Sequence, residues 1–76
     1  MTYDLHMKWK NGGGAIVNSF TASSNESAIK KAIAYMDQTP QFVKDATLAV
    51  LNRRMRGDRR ETVKQWDLSK NIAVNN

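Results

Sequence analysis

Cysteine is absent from the 76 residues. No disulfide can staple the chain, which sets aside the small cross-linked secreted scaffolds and agrees with a reducing cytoplasm. Histidine occurs once, so zinc sites built from His and Cys have no ligand set, and neither a metal nor a cofactor is expected. No apolar run approaches the ~20 residues that span a bilayer. Met1-Thr2-Tyr3-Asp4 lacks the basic and then apolar character of a secretory leader. The expectation is a cytoplasmic protein with no membrane partner. Proline occurs once and glycine four times, so the few positions they hold punctuate the chain.

The length makes one small domain, expected over residues 1–68, with the polar stretch 69–76 as a frayed tail. A chain of this size buries only ~60% of its unfolded surface, so its stability is expected to be marginal. Hydrophobic residues at 41% and charged residues at 25% are ordinary globular values.

Residues 3–10 alternate, with Tyr3, Leu5, Met7 and Trp9 on one face and Asp4, His6, Lys8 and Lys10 on the other, which predicts a half-buried strand. With Gly12-Gly13 as a two-residue hairpin loop, Trp9 faces Ile16, Met7 faces Asn18 and Leu5 faces Phe20. Ser23 followed by Glu26 reads as a capping box that opens a helix. That helix carries apolar residues at Ala28, Ile29, Ala32, Ile33, Tyr35 and Met36, and Thr39-Pro40 ends it. Beyond it the pattern supports two readings. Thr47 to Arg54 and Arg60 to Leu68 form a second hairpin around Gly57-Asp58-Arg59, pairing Val50 with Trp66, Leu48 with Leu68 and Arg54 with Thr62. The alternative makes residues 40–56 a second helix, giving ββααβ. The strand reading accounts for both sides of the turn and is preferred. The expected fold is therefore α+β: ββαββ, a four-stranded mostly antiparallel sheet with one helix packed on one face.

Bases outnumber acids by 12 to 7, and the excess is local. Arg53, Arg54, Arg56, Arg59 and Arg60 lie within eight residues and, with Asp58, carry +4 of the chain's +5. Arginine presents a planar fork of donors that matches phosphate and carboxylate; lysine does not. Projected beyond the last apolar pair, these five side chains form a charged finger on both faces of a hairpin tip. Lys8 and Lys10 extend the candidate binding set. The expected partner is DNA or RNA, bound through phosphates, and the alternative is an acidic protein surface met by an interaction or inhibitor module of the accessory type found in phages and mobile elements. The sheet face away from the helix, expected to show Val17, Ala49, Leu51 and Val63, or an edge strand, is available for pairing with a second copy.

Other motifs are set aside on physical grounds, and no catalytic residues are expected. Asp4, His6 and Ser19 make a serine, a histidine and an acid on paper, but a flat strand pair offers no oxyanion hole. Gly12-Gly13-Gly14 joins two strands, whereas phosphate loops lead into a helix N-terminus. Arg56-Gly57-Asp58 is explained by turn chemistry.

Overall fold

In the computed structural model, which describes residues 1–69, the order is β1 (Thr2–Trp9), β2 (Gly14–Thr21), α1 (Asn25–Gln38), α2 (Pro40–Val43), β3 (Ala46–Arg54) and β4 (Arg60–Asp67). All neighbouring strands are antiparallel and the sheet order is β2-β1-β3-β4, so α1 carries the chain from one side of β1 to the other. The ββαββ architecture expected from the sequence is present, with a short second helix added. Residues 70–76, most of the segment expected to fray, lie outside the described residues.

The stretch after Pro40 combines the two sequence readings. Pro40 stands at the first helical position, where its missing N–H costs nothing. One turn is all that forms; Lys44 and Asp45 then lead into β3, where Thr47, Leu48, Val50 and Leu51 favour a strand. At the start of α1 the cap is Ser24 and not Ser23: its hydroxyl accepts from the Ser27 N–H at 3.1 Å. Glu26 thus falls one position too early for a capping box and instead sits 4.0 Å from Lys30.

Both hairpin registers differ from expectation, because each loop starts one or two residues earlier. In the first, the Gly12 N–H donates to the Trp9 carbonyl and the Trp9 N–H to the Gly13 carbonyl, each at 2.9 Å. The loop is therefore Lys10-Asn11-Gly12, with Gly12 at φ +93° in the region that glycine enters freely. Tyr3 consequently faces Phe20 and Leu5 faces Asn18, and a bulge between Leu5 and His6 brings His6 opposite Ile16. In the second, the Met55 N–H donates to the Arg59 carbonyl at 2.8 Å, so the loop is Arg56-Gly57-Asp58 with Gly57 at φ +69°. Ala49 then faces Trp66, Leu48 faces Asp67 and Arg54 faces Arg60, with a bulge between Leu51 and Asn52.

These slips exchange the two faces of β3. Ala49 and Leu51, expected on the open face, are fully buried with Tyr3, Leu5, Met7, Ala28 and Ala32. Leu48 and Val50 lie half-buried on the open face, aligned with Lys8 and His6. Val17 and Val63 also pack toward the core. α1 presents small Ala28 and Ala32 to the sheet, and both are fully buried with Ala49. Aromatic side chains extend the core: Tyr3 stacks on Phe20 with ring centroids 6.0 Å apart, and Trp9, Tyr35 and Trp66 pack against the cluster. Ile33 is the exception on α1, 42% exposed.

Candidate anion-docking site at the β3–β4 hairpin

The five arginines share one hairpin but not one environment. Arg54 ends β3 on the open face. Its Nε and Nη2 donate to the two carboxylate oxygens of Asp4, both at 2.8 Å, and the Ser19 hydroxyl adds a bond of 2.6 Å to Oδ1. Asp4 is 1% exposed, although it stands on the polar face of β1, because Arg54 covers it while remaining half-exposed itself. The Arg54 hydrogen bonds hold the Asp4 carboxyl below its ordinary 3.8, against the burial that would raise it. The Ser19 bond and the charges of Arg54 and Arg60 add to the lowering. Arg54 is thus a structural clamp between β1 and β3, which corrects the expectation that all five arginines belong to a projecting charged finger.

Arg60 stands directly across from Arg54, and like charges at facing positions repel. The buried Asp4 carboxylate offsets that repulsion. Arg53 faces Glu61 across the ladder, and its guanidinium donates to two methionine sulfurs, Met55 at 3.4 Å and Met1 at 3.5 Å. Sulfur is a weak acceptor, so the hydrogen-bonding capacity of Arg53 is little used. Arg56, Arg59 and Arg60 are exposed, and among the described residues Arg54 alone of the five is ion-paired.

Two grooves flank the tip. One, of about 570 Å³, is lined by Met55, Arg56, Arg59, Arg60 and Glu61. The other, of about 300 Å³, is lined by Arg54, Met55, Gly57, Asp58, Arg59 and Arg60. Both are open concavities with guanidinium groups on their walls and a methionine between them. Such a surface offers several donor forks to an extended anion while giving no enclosed pocket for a small one.

No family model, curated protein or solved structure matches this chain. The functional reading therefore rests on geometry and chemistry alone.

Two residues of the sequence-derived set lie elsewhere. β1 and β3 run in opposite directions, so Tyr3 is level with Arg53 while Lys8 is level with Leu48. Five residues at ~3.3 Å each put Lys8 about 17 Å from the arginine end of the sheet. Lys10 is at the same far end, paired with Asp45 at 3.6 Å. Asp4, Ser19 and His6 do not form a relay either: the Ser19 hydroxyl donates to Asp4, whose two oxygens are already held by Arg54. No group of three or more metal-ligating side chains occurs among the described residues, and no described helix is long and apolar enough to cross a membrane. Sequence reasoning missed Asp4, Ser19 and Met55 as parts of the site. Aspartate is depleted in strands, so an Asp inside β1 was a readable signal that a cation would be needed beside it.

Proposed function

We propose that the protein is a non-enzymatic, cytoplasmic binding module that docks the β3–β4 hairpin tip onto nucleic-acid phosphates, DNA or RNA, with little sequence preference. The observation that carries this reading is the set of exposed guanidinium groups of Arg56, Arg59 and Arg60, which make no ion pair among the described residues and wall two open grooves at a projecting tip. Phosphate contacts of this kind release counterions, so affinity falls with salt. Three to four arginines give a log–log slope of about −3 to −4 on duplex DNA and a shallower one on single strands. Fluorescence anisotropy of labelled duplex and single-stranded oligonucleotides, titrated over a range of salt, measures it. Absence of binding at low salt, or binding that ignores salt, contradicts the reading.

Met55 favours a second reading. It is 37% exposed and lines both grooves, and methionine and arginine are both enriched where proteins meet proteins. In that case the same tip presses onto an acidic surface of a larger protein, as an accessory or inhibitor module. A defined complex that survives nuclease treatment during affinity purification would support it over the first.

A further inference from the structure

The two outer edges of the sheet are treated unequally. On β2, the carbonyls of Val17 and Thr21 accept from the Tyr35 hydroxyl at 3.0 Å and the Lys31 ammonium at 2.8 Å. Both donors belong to α1, so two of the carbonyls on that strand are already engaged by the helix. β4 is the other edge, and no described strand pairs with its outer side. The Met55 to Arg59 bond at 2.8 Å and the Leu68 to Thr47 bond at 3.1 Å fix which peptide groups of β4 face β3. By the alternation of an antiparallel ladder, those of Arg60, Thr62, Gln65 and Asp67 point outward.

We propose that β4 pairs antiparallel with β4 of a second copy of this chain, about a two-fold axis between Val63 and Lys64, making one continuous eight-stranded sheet. One antiparallel register alone matches every outward residue with an outward residue: Arg60 opposite Asp67, and Thr62 opposite Gln65, each pair occurring twice by symmetry. It offers up to about eight backbone hydrogen bonds. The same register sets unlike charges against each other. Arg60 of one copy faces Asp67 of the other on the open face, and Glu61 lies diagonal to Lys64 on the helix side, and such pairs stabilise a sheet. The bulge at Val63 falls opposite Lys64 in both copies, so the two strands stay in step. Charged edges normally repel neighbours. The alternating signs along β4 repel other edges but complement themselves. The Asp67 carboxylate also accepts from the amide and hydroxyl of Ser69. Arg56 and Arg59 lie outside the paired stretch, so self-pairing and phosphate docking can be tested separately.

Sedimentation velocity in the absence of nucleic acid decides it. The mass is expected to rise from the 8.6 kDa of one chain toward twice that between micromolar and millimolar concentration. Asp67→Arg sets arginine against Arg60 and should weaken self-association at least tenfold, and adding Arg60→Asp should restore it. Gln65→Pro removes an outward N–H that β3 does not use, so it should give a monomer with an unchanged circular dichroism spectrum. A wild-type chain that stays monomeric throughout overturns the proposal, as does association unmoved by Asp67→Arg.

Discussion

Asp4 and Arg54 are 50 positions apart in the sequence and form a bidentate ion pair in the fold. The carboxylate is buried and the guanidinium is half-exposed, so the two ends of the pair respond differently to change. Replacing Asp4 with Asn removes the charge and turns an amide N–H₂ toward existing donors. The unmade buried bonds should cost about 1–3 kcal/mol, visible as a lower thermal midpoint. The pair also sets an acid limit. Because the folded carboxyl lies below its ordinary 3.8, the unfolded chain binds the proton more readily. This contribution is fully present above about pH 5 and is lost as pH falls through 3.8 toward the lower folded value. Thermal melts from pH 2 to 6 should show stability rising with pH across that window, and Asp4→Asn should flatten the rise. The alternation of β1 made Asp4 legible as a polar-face residue. Its partner was not legible, because the sheet order that puts β3 beside β1 has no local signature.

Turns and caps decided where the elements begin. The alternating pattern from Tyr3 to Trp9, the arginine-flanked Gly57 and the apolar spacing from Ala28 to Met36 located four strands and the main helix. Registers were harder, since one residue of loop placement moves every cross-strand pair. Asn11 illustrates the difficulty: its side chain accepts from the Gly13 N–H at 2.9 Å, which helps set Lys10-Asn11-Gly12 as the loop when three consecutive glycines suggest a centre further on. Three bulges then shift the ladders again. The α1 cap makes a sharp test at this scale. Ser24→Ala removes the acceptor of the Ser27 N–H and should cost about 1 kcal/mol. Ser23→Ala should cost little, reversing the order implied by a capping box at Ser23. Chemical denaturation of the two variants distinguishes them.

At the scale of the molecule, the antiparallel run of β1 against β3 separates the basic residues into two ends. Lys8 and Lys10 stand by the first hairpin, and the arginines stand by the chain's N-terminus and the start of α1. The concentration of charge was plain in the sequence; its division into one clamp and an exposed set at the tip required the fold. Arg54 is committed to Asp4 and Arg53 touches sulfur, whereas Arg56, Arg59 and Arg60 are exposed and make no ion pair among the described residues. A functional account that treated all five as equivalent would expect Arg54→Ala and Arg56→Ala to behave alike, whereas here the first should loosen the fold and the second should leave it intact.

The most direct measurement is the salt dependence of duplex binding by the Arg56→Ala, Arg59→Ala double variant against the parent chain. Each lost phosphate contact should make the log–log slope less steep by about 0.9, so the change expected is close to 2, with an unaltered thermal midpoint. An unchanged slope and affinity would contradict the assignment of the tip as the docking site.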